Sequence, residues 1–176
     1  METIGIFVGR MQPCTILHQK IINSMKEDKT YIFIVEGARS SMEKKNFLTF
    51  QDRVQLLSVT NPKAKVLYSK HGYLPDIIEQ NRLAKKGDIV RVYAGSDRID
   101  GYNKQFEGKD IDYQYEGKEI PRQAEDVSAT KVRQALLHND YGTYKRMIAR
   151  GLDNEKYFSW LKMKITNKMV SEEYYV

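Results

Sequence analysis

Two short segments near opposite ends of the chain carry the residues best suited to phosphate chemistry. Gly9-Arg10-Met11-Gln12-Pro13-Cys14-Thr15-Ile16-Leu17-His18 leaves an apolar run and enters a helical stripe. Val127-Ser128-Ala129-Thr130-Lys131-Val132-Arg133 opens a second helix with two hydroxyls and two cations. A helix N-terminus presents free N–H groups and the positive end of the dipole, so it favours anions. Two such ends could grip two sides of one polyphosphate. Gly9 lets the backbone turn sharply and approach a ligand. Pro13 removes a donor and fixes φ just before the helix. His18 falls about one turn inside that helix, within reach of its mouth. Considered alone, His18 fits an amphipathic face better than a site, and its flanks are what reverse that reading.

The elements that must position these residues alternate strand and helix. Ile4–Val8 is a short apolar strand ending at Gly9, and Thr15–Lys26 carries a helical stripe. Tyr31–Val35 is a second strand, Gly37–Phe47 a basic loop, and Thr49–Ser58 a helix. A third strand is expected over Ala64–Tyr68, a helix over Leu74–Lys86 ended by Gly87, and a fourth strand over Ile89–Ala94. Asp100–Arg122 is polar, with one strand expected at Ile111–Tyr115. Helices follow over Ser128–His138, Tyr141–Ala149 and Asn154–Lys164, and the tail from Thr166 is expected to be loose. The pattern predicts an α/β fold, a Rossmann-like doubly wound parallel sheet with a C-terminal helical extension. In such sheets a ligand sits at the carboxyl ends of the strands near the switch point. The chain reads as one domain over residues 1–176, with 151–176 as the C-terminal helix and tail.

Composition narrows the function classes. The chain has 176 residues, 41% of them hydrophobic, enough for a sizeable core. No apolar run approaches the length of a membrane span. The N-terminus lacks a basic start before an apolar stretch, so no signal peptide is expected. Cys14 is the only cysteine, so no internal disulfide can form and a cytoplasmic location is expected. With that one cysteine and only His18, His71 and His138, no protein-built metal site is expected. The net charge of +6 fits either an ordinary basic surface or a partner rich in phosphate. The basic residues are spread along the chain, which ranks nucleic acid last among the partners.

The two segments resemble the paired signatures of the nucleotidyltransferase superfamily that carries a T/H-x-G-H motif. Thr15-x-Leu17-His18 occupies that motif, and Val127-Ser128-x-Thr130-x-x-Arg133 occupies the second, usually written I-S-x-T-x-x-R. Gly9-Arg10-Met11-Gln12-Pro13 is most similar to the archaeal-type and phage-encoded nicotinamide-mononucleotide (NMN) adenylyltransferases. The resemblance implies transfer of AMP from ATP to a mononucleotide phosphate, NMN giving NAD, with pyrophosphate released. It places Thr15, His18 and Arg133 in catalysis. Gly9, Arg10, Met11, Gln12, Ser128, Thr130, Lys131 and Arg133 would hold the ATP phosphates. Lys45, Asn46, Gly95, Ser96 and Asp97 are the candidates for the mononucleotide, with Asp97 on a ribose hydroxyl or simply a helix N-cap. Lys44 and Lys45 equally suit a solvated loop. Mg2+ would arrive bound to ATP, and the relatives' assemblies imply a homo-oligomer. Tyr93, Tyr102, Tyr113 and Phe47 are candidates for stacking on a base. Leu17 departs from the motif glycine, and Cys14 from a usual Phe; Cys14 is read as packing. The alternatives are a cytidylyl- or adenylyltransferase with another phosphorylated acceptor, and a nucleotide-binding relative without catalysis.

Overall fold

The computed structural model describes residues 1–35, 46–120 and 127–174, and their side chains except those of Asp97 and residues 168–174. Among the described residues the chain forms five strands, β1 Thr3–Gly9, β2 Lys29–Val35, β3 Lys65–Ser69, β4 Ile89–Gly95 and β5 Gln114–Ile120. All four pairings are parallel, in the order β3-β2-β1-β4-β5. The winding reverses between β1 and β4, so this is a doubly wound, Rossmann-like α/β sheet. The helices are α1 Ile16–Ser24, α2 Phe50–Thr60, α3 Leu74–Gln80, α4 Ser96–Phe106, α5 Ala129–Leu137, α6 Tyr141–Met147 and α7 Glu155–Tyr174. No helix among the described residues is long and apolar enough to cross a membrane.

The chain divides into two compact units. The first comprises Met1–Gly9, Ile21–Glu36 and Ala64–Ala124 and holds the sheet. Its core follows from strand parity. Ile4, Ile6 and Val8 of β1 share a face with Val90, Val92 and Ala94 of β4, and all are buried. Leu74, Ile77 and Ile78 of α3 and Ile99, Tyr102 and Phe106 of α4 complete that cluster. Each such aliphatic side chain stabilises the fold by roughly 1.5–3 kcal/mol when fully buried. The other face is more polar. Tyr93 donates its hydroxyl to both Glu27 oxygens, at 2.6 and 3.1 Å. Burial, with Glu27 beside it, pushes the Tyr93 phenol up to about 12.

Gly5 makes room for that carboxylate, since a Cβ there would lie 2.8 Å from Glu27 Oε1. Gly5→Ala must therefore move Glu27 off Tyr93. The expected cost is about 1–3 kcal/mol, read as a lower urea midpoint. An unchanged midpoint would show that the carboxylate relocates freely.

The second unit comprises Arg10–Lys20, Gly37–Lys63 and Glu125–Val176. Thr49 caps α2 in a reciprocal box with Asp52, and Lys164 of α7 reaches Asp52 at 3.4 Å. Tyr141, Tyr144 and Phe158 form an aromatic cluster, and the Tyr144 hydroxyl donates to Leu152 O at 2.6 Å.

Four boundaries depart from the pattern-based expectations. The helix at Leu74 stops at Gln80 instead of Lys86, because Arg82 turns left-handed at φ 51°. Leu83 N–H then returns to Ile78 O and Arg82 N–H to Glu79 O, closing a Schellman cap that buries Leu83. The fifth strand starts at Gln114, three residues later than expected, because Gln114 N–H meets Asp88 O only there. The polar stretch before it is the helix α4, whose N-cap is Gly95, leaving Asp97 inside the first turn. The tail from Thr166 to Tyr174 is helical, a continuation of α7.

Candidate active site

The first segment is organised by the mouth of α1. Thr15 N–H donates to His18 Nδ1 at 3.0 Å, and Thr15 Oγ1 lies 3.2 Å from the same nitrogen. A backbone N–H can only donate, so Nδ1 is the acceptor. The proton of the neutral ring therefore sits on Nε2. Burial lowers the His18 pKa from 6.5 to about 4, so the ring is neutral at pH 7. The result is a fixed, uncharged N–H donor. Thr15 is held in turn by a bridge to Ile148, and Ala149 N–H donates to Cys14 O at 3.2 Å. Cys14 is buried and its thiol is pushed up to about 12, which suits packing and leaves almost no thiolate.

The loop before α1 is pinned by buried polar groups. Gln12 is 4% exposed, and its amide both donates to Leu48 O and accepts from Leu48 N–H, each at 2.9 Å. Met11 is buried with φ 53°, a left-handed position that costs a non-glycine residue energy and marks a tightly determined turn. Arg53 of α2, also buried, donates from Nη1 to Arg10 O at 2.8 Å and from Nε to Thr49 O at 3.2 Å.

The second segment caps α5. Ser128 Oγ accepts Lys131 N–H at 3.1 Å, so Ser128 is the N-cap. Arg133, one turn in, donates from Nη1 to Gln12 O at 2.8 Å and from Nη2 to Thr130 Oγ1 at 3.0 Å. Partial burial, then the nearby Arg10 charge, lower the Arg133 pKa. Two guanidinium groups that repel each other beside two helix mouths make a place where an anion is favoured.

The second unit thus brings together Arg10, Met11, Gln12, Thr15, His18, Ser128, Thr130, Lys131 and Arg133. Asn46 belongs to it as well, while Lys44 and Lys45 lie outside the described residues. Gly9, Gly95 and Ser96 belong to the sheet unit. Gly9 and Gly95 end adjacent parallel strands, each two residues past the Phe7–Tyr93 pair, at the winding reversal. Two stacking candidates are corrected: Phe47 and Tyr102 are buried in their own units at 4% and 7% exposure. Tyr93 is engaged by Glu27, and Tyr113 packs against the sheet core.

Pattern reasoning did not find Gln19 or the structural part played by Arg53. The Gln19 amide donates to Thr60 O and Arg150 O and accepts from Arg150 N–H at 3.0, 2.9 and 2.6 Å, tying α1 to the end of α2 and to the Arg150 turn. A polar residue next to His18 was the only available signal.

Leu17 is half-buried and stands outside the fully buried core. Packing thus accounts for part of its bulk in the first turn of α1. On the activity that the motif resemblance implies, Leu17→Gly is expected to change ATP affinity or turnover severalfold, with a stability loss of about 2–3 kcal/mol from lost helix propensity and burial. Unaltered kinetics with a large drop in Tm would show that Leu17 is packing alone.

No protein-family model matches the chain, and no curated protein matches it in sequence. Solved structures do match. A bifunctional NMN adenylyltransferase/ADP ribose pyrophosphatase from Francisella tularensis aligns at TM-score 0.63 and 18% identity, covering 99% of this chain and 54% of that one. The same protein complexed with AMP and a Mn ion aligns at 0.63 and 19%, with the same coverage. A NadR protein in complex with NAD and AMP-PNP aligns at 0.58 and 18%, covering 86% of this chain and 46% of that one. A candidate nicotinate-nucleotide adenylyltransferase from Vibrio parahaemolyticus aligns at 0.55 and 15%, covering 92% and 99%. The chain spans about half the length of the Francisella and NadR proteins. What these likenesses establish is the shared fold.

Proposed function

We propose that the chain acts as one nucleotidyltransferase domain that transfers AMP from ATP to the phosphate of NMN. An oxygen of the acceptor phosphate attacks the α-phosphorus, the bond to the bridging oxygen breaks, and pyrophosphate leaves. The observation that carries the reading is the bond from Arg133 Nη1 to Gln12 O, which ties the two phosphate-competent segments together. The adenylyltransferases among the solved structures of the same fold support the class of reaction.

An acceptor phosphate is already ionised at neutral pH, so no strong general base is needed. Catalysis is then positioning and charge stabilisation. His18 Nε2–H would donate to the α-phosphate oxygens. Thr130, Lys131 and the N-terminal amides of α5 would hold the β- and γ-phosphates, with Ser128 capping those amides. Arg133 and Arg10 would neutralise the leaving pyrophosphate. Asn46, Lys45, Gly95, Ser96 and Asp97 stay assigned to the mononucleotide. Mg2+ would supply charge neutralisation as part of the ATP complex. Among the described residues no group of three or more His, Cys, Asp or Glu could hold an ion. The donors present are cations and amides, which suit phosphates rather than a metal cage.

Leu17 favours a second reading, a nucleotide-binding relative with slow or absent transfer. The decisive experiment is pyrophosphate release across a grid of nucleoside triphosphates and phosphorylated acceptors. Activity with ATP and NMN is expected. Activity only with CTP or another acceptor would relocate the reaction, and silence throughout would leave binding alone.

A further inference from the structure

The edge strand β5 reads Gln114-Tyr115-Glu116-Gly117-Lys118-Glu119-Ile120, and among the described residues only β4 pairs with it. Gln114 N–H donates to Asp88 O at 2.8 Å, which sets the parity of the strand. Gln114, Glu116, Lys118 and Ile120 turn their backbone N–H and C=O groups toward β4. Tyr115, Gly117 and Glu119 turn theirs outward. Gly117, Lys118 and Glu119 are exposed.

Charged edges usually prevent strand addition, because two like edges bring like charges together. This edge is different. Its charge changes sign across Gly117, with Glu116 on one side and Lys118 on the other. Both point to the face where Glu116 Oε2 accepts Arg91 Nε at 2.9 Å and lies 3.8 Å from Lys118 Nζ. Two copies laid antiparallel on a two-fold axis through Gly117 would set Glu116 opposite the partner's Lys118, and the reverse. The parity agrees. Gly117 would exchange backbone bonds with the partner's Gly117, and Tyr115 with the partner's Glu119, about six bonds in all. The Glu–Lys pairs fall at the non-hydrogen-bonded positions, where facing Cα atoms lie only about 4.5 Å apart and side chains couple most strongly. Gly117 itself has no room for a side chain, since a Cβ would meet Asn103 Oδ1.

We infer that β5 is a self-complementary seam through which a second copy of this chain adds antiparallel at Gly117, joining two sheets into one. The test is sedimentation of the full chain and of two single variants, with circular dichroism as the check on folding. The unaltered chain dimerises, and added salt loosens the dimer. Lys118→Glu sets two carboxylates against each other at both pairs, and Glu116→Lys sets two ammonium groups there. Each variant alone is expected to raise Kd roughly ten- to a hundredfold. An equimolar mixture of the two restores a heterodimer, because every facing pair is again opposite in sign. Glu116→Lys places a second cation beside Arg91. If it does not fold, Lys118→Glu alone decides, because its pairing must tighten with salt as repulsion is screened. A monomeric native chain overturns the inference. So does a Lys118→Glu variant that dimerises like the native chain, or one that salt loosens, or a mixture of folded variants that stays monomeric.

Discussion

His18→Ala is expected to lower kcat roughly 10²–10³-fold, the usual cost of removing one pre-set donor from a developing anion. ATP affinity should change little, because the ring contributes no charge at neutral pH. The geometry sharpens this expectation. Thr15 N–H occupies Nδ1, so the working proton is on Nε2, and the pKa of about 4 keeps that tautomer across the neutral range. Any inflection near pH 6.5, where an ordinary histidine and a phosphate monoester both titrate, should therefore persist in His18→Gln. A break at that pH abolished in His18→Gln would mean the ring works as a charged acid, against this account. Stability follows the same linkage. The unfolded ring binds its proton near 6.5 and the folded ring near 4. Stability from keeping His18 neutral is complete above that upper value and is lost as the pH falls through the window. His18→Gln should flatten the acid side of the stability curve.

Arg133→Ala is the second large effect. The side chain would meet the leaving pyrophosphate and also holds Gln12 O and Thr130 Oγ1. Truncating a partly buried charged donor costs about 2–5 kcal/mol, so ATP and pyrophosphate should bind roughly 30- to 5,000-fold more weakly. NMN affinity should fall far less. Arg133→Lys keeps the charge but cannot bridge both oxygens with a planar fork, so it should recover only part of the loss. Calorimetry showing equal losses for ATP and NMN would remove Arg133 from the leaving-group role.

The fold was legible where burial dictates composition. Ile4 to Val8 and Ile89 to Ala94 are nearly continuous apolar runs because β1 and β4 lie inside the sheet. β5 was misplaced because an edge strand needs only one partner and carries no apolar face strong enough to read. The short α3 was hidden because its stop rests on a left-handed arginine, where composition would call for glycine or asparagine. The first and second segments announced themselves through residue types at fixed spacings. Their connection did not: the Gln12–Leu48 clamp, the Arg53–Arg10 bond and the Gln19 strap are pairings between distant positions, which no local pattern encodes.

Those same pairings carry a consequence for how the molecule comes into being. The bonds that build the second unit close loops of 36, 43, 121 and 131 residues. Each must wait for its far end, and wide closures make folding slow. During synthesis the Gly9–His18 segment emerges early, gains Leu48 and Arg53 as partners next, and is complete only when α5 and the Arg150 turn have left the ribosome. An N-terminal fragment could keep the local Thr15–His18 bond and still lack the contacts with Arg133 and Arg150 that complete the segment. On the proposed function, affinity for ATP would appear only after these late closures, and its appearance in a pulse-labelled sample would time the last step of folding.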